Sequence, residues 1–257
     1  MSLLSTDHLA GQVAPLVPRQ VTLSVVSHGQ GALIRHLLKD IQSGWECDYE
    51  LVVTLNIPED EVFLAGFQTT MPLRVIRNAR PKGFGANHNA AFVASRGRYF
   101  CVLNPDLRAP LLSVAPLVET LNRHMVGADA PAVYSSAGTL EDSARRFPSW
   151  WRLVKRVVLR VRGPDYELQN SPYRVDWVAG MFTLFRREAF LDVNGFDERY
   201  FMYFEDADIC RRLAQRGWSV MLDPRVRVVH DAQRASHRDT KHLRWHLVSA
   251  FRYLTRL

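Results

Sequence analysis

Tyr99-Phe100-Cys101-Val102-Leu103-Asn104-Pro105-Asp106 is the stretch that decides the fold. Five apolar or aromatic residues read as a strand, and Asn-Pro followed by Asp reads as the turn that closes it. Upstream, Val21–Ser27, Leu51–Leu55 and Leu73–Ile76 are short strand-like runs, while Ala32–Ile41 and Ala86–Ser95 carry helical patterns. Strands and helices taking turns in this way predict right-handed βαβ units and a parallel sheet. Ligands bind such a sheet at the carboxyl ends of its strands. Ser27-His28, Asn56, Asn78 and Asn104-Pro105-Asp106 stand just past those ends, so the pattern predicts that they converge on one crevice.

The second half reads differently. Ala137–Tyr173 is irregular and holds a basic segment, Arg145–Arg162; strand-like runs follow at Val175–Val178 and Phe182–Phe185. A helix is expected from about Asp206 to Gly217, with Ile209 and Leu213 on one face and Gly217 as its stop. Ser219–Leu222 and Val226–His230 read as two further strands, and Thr240–Leu254 as a C-terminal helix. No internal repeat, low-complexity tract or linker divides the chain.

The 257 residues are 47% hydrophobic and 23% charged, which excludes disorder and a disulfide-stapled miniprotein. No apolar stretch approaches the roughly 18–20 residues that span a bilayer. Asp7 and His8 spoil any secretory signal in Met1–Pro18, so a soluble cytoplasmic protein is expected. Cys47, Cys101 and Cys210 lack metal-ligand spacing and read as reduced thiols. Lys+Arg 33 against Asp+Glu 26 gives a net charge of +7, which suits an anionic partner: nucleic acid, a phosphorylated substrate or an acidic membrane surface.

Four segments can carry chemistry. Asp106 at the crevice mouth can hold a hard divalent cation that also meets substrate phosphates, although Asn-Pro-Asp is equally a plain turn. Lys82-Gly83-Phe84-Gly85-Ala86-Asn87-His88-Asn89 enters a helix through two glycines, which permit close backbone approach to a ligand and leave N–H groups for a phosphate. It lacks the third glycine and the preceding strand of a dinucleotide fingerprint. Glu205-Asp206-Ala207-Asp208 opens a helix, where acids also serve as caps; its aromatic approach, Phe196 to Phe204, would desolvate a carboxylate and make it a better base. His230 ends an apolar strand and gains meaning only beside Asp106, where it could complete a metal site.

Together these segments resemble the inverting family 2 glycosyltransferases of the GT-A fold, and more closely their rhamnosyltransferase-like branch. Pro81–Asn89, Leu103–Asp106, Trp177–Met181 and Gly195–Glu198 running into Tyr203–Asp208 carry the likeness in family order, across about Val21–His230. The resemblance implies an α/β protein: a single GT-A type, Rossmann-like domain with a mixed central sheet and a C-terminal helical tail. It implies a nucleotide-sugar half over about 19–135, an acceptor and catalytic half over about 136–235, and a terminal helix over about 236–257. Val26, Ser27, His28, Asn56, Gly83, Phe84, Asn87, Asn89 and Asn104 would line the nucleotide sugar. Trp177, Gly180 and Met181 would lie on the acceptor and sugar side. Asp206, with Glu205 beside it, would be the catalytic base, and Asp106 and His230 would hold Mg²⁺ or Mn²⁺. Asn104 stands where relatives carry the first acid of a D-x-D motif, and Leu55 where many carry an aspartate.

The activity implied is metal-dependent inverting transfer of a sugar, L-rhamnose from dTDP-rhamnose, to a lipid-linked saccharide in bacterial surface polysaccharide synthesis. A UDP-hexose is the alternative sugar source, and a catalytically silent nucleotide-sugar- or glycan-binding relative the alternative class. The acids at 205 and 206 disfavour a nucleic-acid partner. Trp150, Trp151, Val154, Val157, Val158 and Val161 alternate with Arg152, Lys155, Arg156, Arg160 and Arg162, as in a basic amphipathic helix at an anionic membrane interface. Lys241, Arg244, Arg252 and Arg256 around Leu243, Leu247, Phe251 and Leu254 pose the same choice between membrane and core. The expectation is an enzyme peripheral on the inner face of the plasma membrane.

Overall fold

A computed structural model describes residues 20–67, 70–151, 164–231 and 240–255. The chain opens with β1 (Val21–Ser27), α1 (Gly31–Gly44), β2 (Trp45–Glu46), β3 (Tyr49–Leu55) and β4 (Leu73–Arg77). α2 (Phe84–Val93) and β5 (Tyr99–Leu103) complete the expected alternation. β6 (Leu107–Arg108), β7 (Leu112–Ser113) and α3 (Ala115–Leu121) then lead to the long β8 (Val126–Ser135). Beyond it come β9 (Ala144–Arg145), β10 (Tyr173–Val175), β11 (Trp177–Val178), β12 (Phe182–Arg186) and α4 (Arg187–Asp192). α5 (Glu205–Gln215), β13 (Ser219–His230) and α6 (Thr240–Thr255) finish the order.

The main sheet runs β10-β13-β8-β12-β5-β1-β3-β4, with β6 paired to the far end of β13. β1 is parallel to β3 and β5, and β3 to β4, so the N-terminal half is the parallel sheet that the alternation predicts. β12 inserts antiparallel between β5 and β8, making the whole sheet mixed. Ile34, Leu37, Leu38 and Ile41 recur at i, i+3, i+4 and i+7 along α1 and are buried against Val21, Leu23 and Val25. Val52, Phe100 and Val102 join Phe92, Phe185, Phe190 and Phe196 in a second core cluster. Burial of each such side chain contributes about 1.5–3 kcal/mol.

One expectation changes. Ser219–Leu222 and Val226–His230 are one strand, β13, whose pairing with β8 shifts between Asp223 and Arg227. Pro224 has no N–H to give the ladder, and the strand absorbs it as an irregularity instead of ending. Arg145, at the head of the basic segment, lies in β9, opposite Trp177. Trp150 and Trp151 are helical and exposed, but residues 152–163, which carry the rest of the basic amphipathic pattern, lie outside the described residues. The expected C-terminal helix, α6, is held to the body of the fold: Ser249 donates to the Met202 carbonyl (2.8 Å) and Arg211 to that of Tyr253 (3.1 Å). Among the described residues no helix is long and apolar enough to cross a membrane.

Candidate active site

A cleft of about 790 Å³ opens where β1, β3 and β5 end. Val26, His28, Asn56, Phe84, Asn87 and Asn104 line it. Much of this wall is held by a network of amides. Asn78 donates to both Asn56 (2.9 Å) and Asn87 (2.6 Å), while Asn56 accepts from the Lys82 N–H (2.8 Å) and donates to the Lys82 carbonyl (3.0 Å). Asn78 itself is buried behind that wall. These bonds set the path of the chain into α2, since buried polar groups left unpaired would be costly.

Ser27, Gly83 and Asn89 do not reach the cleft. Ser27 is buried and accepts from the Gln30 N–H (3.2 Å). Asn89 holds the loop before α5, donating to the Phe196 carbonyl (2.9 Å) and accepting from its N–H (2.9 Å). A Cβ on Gly83 would lie 2.7 Å from the Phe201 carbonyl oxygen, and one on Gly85 would lie 2.6 Å from Phe196 Cβ. The Phe84 N–H is already given to the Phe201 carbonyl (2.9 Å). In the structure, therefore, the two glycines let the 196–204 loop sit close on α2.

Asp106 lines the cleft just past β5. Pairing of Leu107 with His230 brings the end of β13 beside it, and the Asp231 N–H donates to the Asp106 carbonyl (3.0 Å). His230 Nε2 lies 3.1 Å from Asp106 Oδ2, and Nδ1 lies 2.9 Å from Glu141 Oε2. The hydrogen bond to Asp106 is the main cause that pushes the imidazole pKa up to about 9, against the opposing effect of burial. Asp106 Oδ1 is buried without a hydrogen-bond partner. An orphaned carboxylate oxygen with an imidazole nitrogen at its side fits a divalent cation. Among the described residues no group of three or more His, Cys, Asp or Glu side chains is arranged to hold a cation. The fit is thus to an ion that takes its other ligands from phosphate oxygens and water, as Mg²⁺ commonly does.

The second carboxylate site lies at the head of α5. The helix is entered through Tyr203 and Phe204, at φ 70° and 67°, a left-handed pair that costs of order 1–3 kcal/mol per residue. Asp206 accepts from the Ala207 N–H (2.8 Å) and the Gly180 N–H (3.2 Å). Burial raises its carboxyl above the ordinary value, and these backbone bonds, with Arg145, oppose that rise. Glu205 is raised far more, by burial and then by the charge of Asp206, and its Oε2 has no partner. Of the two, Glu205 therefore holds a proton more readily than Asp206. Asp208 is not in the cleft but pairs with Arg211 (3.0 Å) and Arg212 (2.7 Å).

Gly180 and Met181 line the same cleft, and Met181 accepts from the Asn104 N–H (2.8 Å), so the β5–β12 pairing ties the two carboxylate sites together. Trp177 faces elsewhere, donating to the Arg146 carbonyl (3.0 Å). His242 and Trp245, to which the sequence reading gave no part in the site, line the cleft, as do Lys82, His88 and Tyr203 of its quoted motifs. Tyr203 meets His242 Nδ1 at 2.9 Å, and Trp245 lies on Phe201 with ring centres 4.8 Å apart. The signal was the spacing of His242, Trp245, Ser249 and Tyr253, a second helical stripe opposite Leu243, Leu247 and Phe251.

Comparison with known proteins sets this geometry in context. A family model described as "Glycosyltransferase like family 2" matches residues 18–247. Rhamnosyltransferase WbbL of Escherichia coli (strain K12) is 33% identical over 255 residues, covering 92% of this chain and 93% of that protein. N-acetylglucosaminyl-diphospho-decaprenol L-rhamnosyltransferase of Mycobacterium tuberculosis (strain ATCC 25618 / H37Rv) is 28% identical, covering 89% and 82%. Among solved structures, GalNAc-T7 with UDP, GalNAc and Mn²⁺ matches at TM-score 0.65 and 18% identity, over 86% of this chain but only 45% of that one. The mannosyltransferase PcManGT from Pyrobaculum calidifontis, in complex with GDP-Man and Mn²⁺, matches at 0.63 and 20%, over 96% and 67%.

Proposed function

Because the chain belongs to the glycosyltransferase-like family 2, and with it has the GT-A fold, we propose that it transfers L-rhamnose from dTDP-rhamnose, with inversion, to a lipid-linked saccharide. One observation carries the chemistry: a single cleft holds both an unsatisfied carboxylate beside His230 and a desolvated Asp206 at a helix N-terminus. The names of the two bacterial relatives support the sugar, and that of the mycobacterial one supports a diphospho-polyprenol acceptor.

In this reading Asp206 accepts the proton of the acceptor hydroxyl as its oxygen attacks the anomeric carbon. Gly180 and Ala207 hold the carboxylate in place, and burial, which raises Glu205 further than Asp206, disfavours a second charge beside it. The C–O bond to the diphosphate breaks on the opposite face, so the configuration inverts without a covalent sugar–enzyme intermediate. Asp106 and His230 would hold the cation, whose charge, when bound, offsets that developing on the leaving diphosphate. Residues of about 19–135 then serve the nucleotide sugar and about 136–235 the acceptor. An anionic membrane surface is the partner that suits the outward face of α6, where Leu243, Leu247 and Phe251 are exposed and no acid occurs between Thr240 and Thr255.

Incubation of the purified protein with Mg²⁺, dTDP-rhamnose and an N-acetylglucosaminyl-diphospho-polyprenol tests the reading. A rhamnosylated product with inverted anomeric configuration is expected. Turnover of UDP-hexoses in place of dTDP-rhamnose, or retention of configuration, would overturn it.

A further inference from the structure

The contact between His230 and Glu141 is not explained by the reaction as described. Glu141 is 89 residues from His230 in sequence, yet its Oε2 lies 2.9 Å from Nδ1, on the edge of the ring away from Asp106. The histidine side chain is 15% exposed and that of Glu141 27%, so this is not a surface pair between two free side chains. The backbone around Glu141 is fixed on both sides. Its N–H donates to the Val133 carbonyl of β8 (2.8 Å), and its carbonyl accepts from the Ser143 N–H (2.8 Å). Tyr134 and Leu140 form a bridge that closes the turn between them, with Gly138 at φ +76°. The carboxylate is thus delivered to the imidazole by a built hairpin.

An imidazole can coordinate through only one nitrogen at a time, and the partner of the other nitrogen decides which one and how the ring is turned. Resting on the cation site just proposed, we infer that Glu141 is a positioning residue: it takes the Nδ1 proton of His230 in a hydrogen bond and so presents Nε2, unprotonated and correctly oriented, to a cation shared with Asp106. Glu141 does not itself reach the cation in this arrangement. Loss of such a partner typically weakens metal affinity 10–100-fold.

The test is Mn²⁺ binding, followed by the EPR signal of the free ion, to the full-length protein without substrate and again with dTDP. Glu141→Ala is expected to weaken Mn²⁺ binding about 10–100-fold. Glu141→Gln, whose amide oxygen still accepts from Nδ1, is expected to stay within a few-fold of the unmodified protein. Glu141→Leu keeps the bulk without the acceptor and replaces the alanine variant if that one does not fold. In a His230→Ala background, removal of the Glu141 carboxylate is expected to change nothing more. Unchanged affinity in Glu141→Ala and Glu141→Leu overturns the inference. So does a loss in Glu141→Gln as large as in Glu141→Ala, or a full further loss in the double variant, since either means that Glu141 acts through its charge or as a ligand. Asp106→Ala separates this outcome from failure of the cation site itself: if that variant binds Mn²⁺ as the unmodified protein does, there is no site there for Glu141 to serve.

Discussion

Replacing Gly83 by alanine would push one methyl group into the backbone that leads to Asp206. The new Cβ would lie 2.7 Å from the Phe201 oxygen, 2.9 Å from its Cα and 3.1 Å from the Tyr200 oxygen. Ordinary carbon contacts start near 3.5 Å, so the 200–201 backbone must retreat by about 0.7 Å. Gly83 sits at φ −66° and ψ 163°, which alanine adopts freely, so the substitution gains about 0.4–1 kcal/mol through the unfolded chain. Overpacking against backbone costs about 1–3 kcal/mol and wins, for a net loss of about 1–2 kcal/mol. The retreat falls three residues before the left-handed pair that aims Asp206, and a misplacement of about 1 Å can cost on the order of 10²-fold in rate. Urea denaturation should show the lost stability, and steady-state kinetics should show turnover down about 10-fold or more with the nucleotide-sugar KM little changed. Gly66→Ala is the control: at φ +86° with nothing within 4 Å it should lose about 1–2 kcal/mol and leave the kinetics alone. If Gly83→Ala instead keeps its stability and raises the nucleotide-sugar KM, the glycine lies against the diphosphate and the packing argument is wrong.

Asp206→Asn should lower turnover by roughly 10²–10⁴-fold with nucleotide binding intact, whereas Glu205→Gln, which mimics the protonated acid, should stay within a few-fold; equal losses in the two would mean that Glu205 is ionised. Because burial raises the Asp206 carboxyl, the acid limb of the turnover–pH profile should lie above the ordinary aspartate range, and a limb at the ordinary position would show a solvated base. EDTA should weaken dTDP binding, Asp106→Ala should reproduce that loss with metal in excess, and His230→Ala should lose less, all readable by calorimetry. Without metal, His230 titrates at about 9 when folded against 6.5 unfolded. The stability that it contributes, about 2–3 kcal/mol, is therefore whole below pH 6.5 and gone by about pH 9. Thermal melts in EDTA should show this decline, and His230→Gln should flatten it.

What could be read from the sequence was local. The α1 stripe repeats every three or four residues, and the polar residues past β1, β3 and β5 follow from the one rule that parallel strands end together. Asp106 could be placed in the cleft for that reason, whereas Asp206 stood out by its aromatic approach and the family resemblance, since acids at a helix start also serve as caps. Relations between distant segments were not. His230 and Asp106 are 124 residues apart and meet only because β6 pairs with the end of β13, which itself runs on through Pro224. The glycines of the 82–89 motif advertise close approach, but not to what: the sequence suggests a phosphate, and the structure puts the 196–204 loop there.

The turn that aims Asp206 joins these two kinds of information. Tyr203 and Phe204 are not residues that choose positive φ, and nothing local to Tyr203-Phe204-Glu205 would have signalled it. The strain persists because neighbours over-determine it. The Asp208 N–H closes onto the Phe204 carbonyl (2.8 Å), His242 meets the Tyr203 hydroxyl, and His246 and Tyr253 pack on the Phe204 ring. Those partners come from α5 itself and from α6, a helix whose exposed leucines drew attention to its other face. Held by α6, and entered from a stretch that packs on Gly83 and Gly85 at residues 196–201, the turn fixes Asp206 in the cleft that Asp106 also lines. The aromatic residues around the acids, which from the sequence promised only desolvation, are thus also the grip that keeps Asp206 in place.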